Sequence, residues 1–269
     1  NGIGDLVLNY ASFKESIKSK STNGKKTLKI KGIPKLDDAN FAGSKKSQDC
    51  ILILTEGDSA KSMAISGLSK SDRDIYGVYP LRGKMLNVKV ATIQQIIENS
   101  EITALKKIIG LKDNVDYKDT KSLRYGHIMI MTDQDYDGFH IKGLLINIFH
   151  TLWPSLLKLN FITSMVTPIV KVSKGKQVKP FYNVKDYQMW KNTHNIKGWK
   201  IKYYKGLGTS NNNEAKEYFK NINDVTYNWD GEESESCINL AFKKTLADNR
   251  KDWLKKFNPN THENIDVKT

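Results

Sequence analysis

Two groups of acids, far apart in the chain, each follow a short apolar run. Glu56-Gly57-Asp58-Ser59-Ala60 comes after Ile51-Leu52-Ile53-Leu54, and Asp133-Gln134-Asp135-Tyr136-Asp137-Gly138 comes after Ile128-Met129-Ile130-Met131. Carboxylates are hard oxygen ligands, so one Glu with several Asp can hold one or two Mg2+, and a carboxylate not spent on an ion can act as general acid or base. Clustered like charges repel, and a bound cation relieves that repulsion. An EF-hand calcium loop is excluded: its twelfth position must be a bidentate Glu. Counted from Asp133, that position is Leu144. Simpler uses also exist. Asp137 is placed to cap a following helix, and Glu56 could pair with Lys61 or Arg82.

For these acids to meet, the apolar runs must be buried strands ending side by side. In open α/β sheets, ligands bind at such carboxyl ends. Strands are expected at 50–55, Tyr76–Leu81, His127 to Thr132 and 165–172, alternating with helices at 59–68, 92–100, 102–109 and 138–157. Strand-helix alternation with continuously apolar strands predicts an α/β fold: a parallel sheet flanked by helices. The second half changes character. Strands at 180–184 and 199–204, helices at 213–220, 238–246 and 248–257, and a loop at 223–235 suggest a smaller α+β extension. Four sections follow: a lead-in over 1–47, the metal-binding domain over 48–172, the extension over 173–257 and a polar tail over 258–269. Within the lead-in, 6–17 could form one helix and the Ser/Lys/Asn/Gly-rich stretch 18–26 reads as a flexible linker.

The chain has 269 residues, enough for one large or two ordinary domains, with a net charge of +14 that favours an anionic partner. Its two cysteines, Cys50 and Cys237, cannot make a four-thiolate zinc site and suggest a reducing compartment. The longest apolar stretch is interrupted by Asn147, His150 and Pro154, so no membrane-spanning segment is expected. With no initiator Met, the chain is expected to be a piece of a longer one.

Pro80-Leu81-Arg82-Gly83-Lys84-Met85-Leu86-Asn87-Val88 gathers two cations and an amide around a glycine. It fails as a nucleotide-binding P-loop, because Met85 stands where Ser or Thr must coordinate magnesium. Contact of Arg82, Lys84 and Asn87 with a nucleic-acid backbone is the alternative to a solvated turn. Lys202-Tyr203-Tyr204-Lys205-Gly206-Leu207-Gly208-Thr209-Ser210 reads as a strand, a glycine turn and a helix. His127, His140 and His150 lack zinc spacing and are expected to be structural.

These motifs, in this order, resemble the Toprim region of type II DNA topoisomerases. The resemblance rests on Glu56-Gly57-Asp58-Ser59-Ala60, the 80–88 run, 133–138 with His140-Ile141-Lys142-Gly143, and Tyr204-Lys205-Gly206-Leu207-Gly208-Thr209. Lys31-Gly32-Ile33-Pro34-Lys35-Leu36-Asp37-Asp38-Ala39-Asn40 and the 167–173 segment point to the eukaryotic or large-DNA-virus branch. The resemblance implies a Toprim fold in which Glu56, Asp133 and Asp135 are catalytic and bind Mg2+, with Asp137 in or beside that shell and Mn2+ or Ca2+ able to substitute for binding. It implies DNA contact by Lys84 and Asn87 near the cleaved step and by Arg250 and Lys251 further out. Asp58 and Arg82 match positions where topoisomerase poisons bind. Tyr136 and Phe139 depart from the small or polar residues usual in that loop.

What the resemblance further implies is a double-stranded DNA partner, a homodimer in the full-length enzyme and a nuclear or viral-replication setting. It also implies two domains outside this chain: an upstream ATPase that uses ATP and a downstream winged-helix domain that carries the nucleophilic tyrosine. The competing readings are a self-sufficient Toprim nuclease or primase-like enzyme, a receiver-type phosphoacceptor and a noncatalytic DNA-binding scaffold.

Overall fold

The computed structural model describes residues 22–256. The helix expected at 6–17 and the polar tail expected over 258–269 lie outside them. The first sheet contains β1 (Ile51–Glu56), β2 (Tyr76–Leu81), β3 (His127–Met131), β4 (Ile162–Met165) and β8 (Asp224–Thr226), in the order β2-β1-β3-β4-β8. All pairs are parallel except β4 with β8. From β1 the chain goes first to β2 on one side and later to β3 on the other, so the strand order reverses between β1 and β3. That is the switch point where ligands bind in open α/β sheets.

Both faces of this sheet are covered, which is why its strands are apolar throughout rather than alternating. Leu52, Leu54, Ile128 and Ile130 face α3 (Ser100–Ile109) and α4 (Tyr136–Leu152) through Ile102, Leu105, Ile108, Ile141, Leu144 and Ile148. Ile53, Val78, Met129 and Met131 pack with Ala60, Met63 and Ala64 of α1 (Gly57–Gly67) and with Ala215, Tyr218 and Phe219 of α7 (Asn212–Lys220). Each fully buried Leu or Ile contributes about 1.5–3 kcal/mol. A short α2 (Ile93–Glu98) starts on a capping box between Thr92 and Gln95.

α4 ends at Leu152, earlier than the helix expected to reach residue 157. Pro154 disfavours helical backbone at Trp153, which leaves the helix with φ −143° and ψ 60°, and the chain restarts as α5 (Pro154–Leu157). The strand expected over 165–172 is two strands in different sheets. β4 stops at Met165, and β5 (Val170–Lys174) opens a second, antiparallel sheet with β6 (Gln177–Phe181) and β7 (Lys200–Tyr203) in the order β6-β5-β7. α6 (Val184–Thr193) covers it with Tyr187 and Trp190, which close on Val170, Val172 and Phe181. α7 ties the two sheets together: Glu217 pairs with Lys171 at 2.9 Å and Glu214 with Lys202 at 2.8 Å. The region read as a loop over 223–235 instead supplies β8 and the start of α8 (Gly231–Phe242), which α9 (Ala247–Lys255) follows.

The lead-in is docked rather than loose over the residues described. Gly24 donates its N–H to Leu111 O at 2.7 Å, and Asp37 and Val78 exchange backbone hydrogen bonds along the free edge of β2. Arg124, 0% exposed, fixes this arrangement. Its guanidinium donates to Thr27 O, Ile108 O and Asp38 Oδ2. The other oxygen of Asp38 accepts from the Tyr125 hydroxyl at 2.5 Å.

Candidate metal centre and nucleic-acid interface

Glu56 is the last residue of β1, and Gly57, at φ +79°, turns the chain directly into α1. That left-handed backbone is the reason for a glycine there. Glu56 Oε2 accepts the N–H of Asp133 at 3.2 Å across the β1–β3 crevice. Asp133 Oδ1 in turn accepts the N–H of Leu207 at 2.7 Å. Gly206 leaves no room for a side chain: a Cβ there would come within 2.3 Å of Asp133 Oδ2. Asp135, not Asp137, caps α4, with its Oδ1 accepting from the N–H of Gly138 at 2.8 Å. Asp137 is left exposed and pairs with Lys84 at 2.8 Å. The four acids named from the sequence thus gather at the switch point, with Lys84 beside them. Glu56 pairs with neither Lys61 nor Arg82, which go to Asp37 and Glu101.

Burial raises the Glu56 carboxyl above the ordinary range, and Asp133, Asp135 and Asp137 push it the same way, against the hydrogen bond from Asp133 N–H. The repulsion expected of clustered acids is therefore present. Behind them, on α4, burial lowers the Lys142 ammonium to about 8, opposed by attraction to Glu56. Among the described residues, no three Asp, Glu, His or Cys side chains close into a ready-made cage. Carboxylate oxygens are nevertheless the donors a hard divalent cation takes, one or two at a time together with waters and substrate phosphate oxygens. Each acid engages one oxygen as described, and no hydrogen bond among the described residues takes up Glu56 Oε1, Asp135 Oδ2 or Asp137 Oδ2.

The remaining residues singled out from the sequence divide into two kinds. Lys84, Arg82 and Asp58 are exposed around the acids. Arg82 lies 3.4 Å from Glu101, and Lys35 holds Asp58 at 2.6 Å, lowering its carboxyl below the usual value. Asn87 and Arg250 are occupied internally. Asn87 Nδ2 donates to Phe242 O, while its Oδ1 accepts from Asn147 Nδ2 and from the N–H of Lys89. Arg250 Nη1 donates to the carbonyls of Leu240 and Ala241, closing the C-terminus of α8. Lys251 is exposed and pairs with Asp248 at 2.9 Å. His150 is buried and lies 3.0 Å from Glu235, the structural use expected of it.

Sequence reasoning missed the backbone of Leu207, whose N–H orients Asp133, and the buried Lys142. A main-chain donor has no signature of its own. The Gly-x-Gly at 206–208 was the available signal, and by itself it reads as a turn. Gln134, Pro168, Tyr204, Gly206, Leu207 and Ser210 line a small, water-sized cleft between the loop after β3 and the second sheet.

A parallel sheet with acids at its switch point, Glu on β1 and an Asp-x-Asp-x-Asp loop after β3, is the arrangement of a Toprim domain. The chain belongs to the Toprim family: residues 51–165 match the Toprim domain and residues 165–269 the C-terminal associated domain of Toprim. Within that family it is homologous to the Toprim region of type II DNA topoisomerases. It is 55% identical to DNA topoisomerase 2-alpha of Gallus gallus over 263 residues, which cover 95% of this chain and 17% of that protein. Identity to DNA topoisomerase 2-alpha of Homo sapiens is 53% over the same coverage. The structure matches the Plasmodium falciparum topoisomerase II DNA-binding, cleavage and re-ligation domain with a TM-score of 0.84 at 52% identity, over 88% of this chain and 33% of that one. The chain thus spans a minor part of the relatives it matches.

Proposed function

We propose that this chain supplies the metal-binding half of the double-strand cleavage and religation site of an ATP-dependent type II DNA topoisomerase. The observation that carries this is the convergence of Glu56, Asp133, Asp135 and Asp137 at the β1–β3 switch point, with Lys84 on Asp137. Glu56, Asp133 and Asp135 would hold Mg2+, with Asp137 beside them and Mn2+ or Ca2+ replacing it for binding. When bound, such an ion would supply Lewis-acid stabilisation of the negative charge on a departing 3′ oxygen. Lys84 and Arg82 line the approach of the DNA backbone. Asp133 is oriented for its role by the N–H of Leu207. Lys251 extends the basic surface. Asn87 and Arg250 contribute to DNA contact by fixing the 82–87 loop and the end of α8, and Asp58 and Arg82 border the step where poisons bind.

The nucleophilic tyrosine and the ATPase belong to other domains of the same enzyme, which works as a homodimer in the nucleus or at a viral replication site. No helix among the described residues is long and apolar enough to cross a membrane.

Two measurements test this reading. Isolated, the 269-residue chain binds duplex DNA without sequence preference and does not cut it. Its log affinity falls against log salt with a slope of about −0.9 per phosphate neutralised, and affinity indifferent to salt removes the basic groove from the proposal. Metal-dependent nicking by the chain alone would instead indicate a self-sufficient nuclease. Separately, Gly206→Ala displaces Asp133 and is expected to weaken Mn2+ binding about tenfold by calorimetry, the lower end for a group that orients a metal ligand. Unchanged affinity would detach the glycine turn from the site.

A further inference from the structure

Lys142 is a buried cation without a matching anion. It is 6% exposed, and its ammonium has two close neighbours: Gln134 Oε1 at 3.4 Å, a long hydrogen bond, and the Phe139 ring at 5.0 Å. Among the described residues, no carboxylate comes within ion-pairing distance of it. A charge taken out of water and left unpaired is unfavourable unless a nearby field offsets it. Glu56 of the acid cluster supplies such a field. Gln134, which receives the ammonium, is the residue between Asp133 and Asp135, and its own Nε2 donates to Met165 O at 3.3 Å. Lys142 therefore stands directly behind the loop that presents both carboxylates. The usual use of a half-hidden lysine, an apolar stem with the head in water, does not apply, because the head is inside.

We propose that Lys142 is a built-in counter-charge that weakens the acid cluster's grip on a divalent cation, so that the ion exchanges instead of being locked in place. The inference rests on the metal reading given above. Because Lys142 is itself held out of bulk water, its positive charge acts on an incoming dication with less screening than a charge at an open surface would. The same charge keeps the empty cluster of acids tolerable, so one side chain sets both the resting state and the affinity. Lys142 is a positioning residue: it touches neither ion nor DNA and acts through the 133–135 loop.

The test is a calorimetric titration of Mn2+ into the 269-residue chain, without DNA, for the unaltered protein and for Lys142→Met, Lys142→Gln and Lys142→Arg. Both neutral variants are expected to bind Mn2+ about tenfold more tightly, and the arginine variant to stay within about twofold of the unaltered chain. A purely structural lysine would alter the melting temperature and leave the affinity where it was. Equal or weaker Mn2+ binding in the folded neutral variants overturns the inference. So does a failure of both neutral variants to fold while the arginine variant folds, since that assigns Lys142 to stability. If the unaltered chain binds no Mn2+, or binding survives Glu56→Gln combined with Asp133→Asn, the metal reading itself fails and this inference goes with it.

Discussion

Glu56→Gln in the full-length enzyme is expected to reduce DNA cleavage by about a thousandfold, the scale on which lost stabilisation of developing charge acts, while duplex affinity stays within about twofold. The asymmetry follows from where Glu56 sits. Its carboxylate lies in the crevice at the end of β1, engaged by the N–H of Asp133, whereas the cations proposed to meet a DNA backbone are on the exposed 82–84 turn. Glutamine keeps the shape and can still accept from Asp133 N–H, so the loop after β3 should hold its place. What disappears is an anionic ligand for the ion. A supercoiled-plasmid cleavage assay, run beside filter binding with the same protein, separates the two effects. Cleavage surviving within about tenfold of the unaltered enzyme would remove Glu56 from the chemistry.

The second large effect concerns stability. Asp38→Ala is expected to cost about 3–5 kcal/mol, because it leaves the wholly buried Arg124 guanidinium without its carboxylate. It also strips the Tyr125 hydroxyl of its acceptor. For a chain of this size the loss corresponds to a drop in melting temperature of about 10 °C or more, readable by circular dichroism. Asp38→Asn, which keeps an acceptor and loses the charge, should fall between. A melting temperature unmoved by Asp38→Ala would mean that Arg124 finds other partners and that the lead-in is not pinned as described.

The sheet and the acids were legible for the same physical reason. Strands covered on both faces must be apolar along their whole length, so Ile51-Leu52-Ile53-Leu54 and Ile128-Met129-Ile130-Met131 announce themselves, and acids at their ends have one place to go. The misreadings fall where the deciding partner is distant in sequence. The single strand expected over 165–172 is split because β4 stays with β3 while the chain beyond Pro168 pairs with β6 and β7. β8 is three residues long and exists through its pairing with β4. The first turns of α8 run Gly231-Glu232-Glu233-Ser234-Glu235-Ser236, with no apolar face to betray a helix. Asn87 and Arg250, expected from the sequence to contact DNA, also make internal hydrogen bonds, to Phe242 and Asn147 and to the carbonyls at the end of α8, which their residue types alone do not announce. A side chain's type states what it can bond to, and the fold decides whether that bond is taken.

The antiparallel strand at the sheet's edge makes the two family domains inseparable in practice. A gene shortened to end at Met165 would discard Asp224, Val225 and Thr226, leaving the outer hydrogen-bonding groups of Thr163, Ser164 and Met165 bare to any passing strand. It would also strip Phe219 and Tyr218 from the underside of the sheet and wet the apolar flank of Met63. Such a shortened protein should clump on expression, and the loss of Leu207 would leave Asp133 without its anchor even in whatever fraction stayed dissolved.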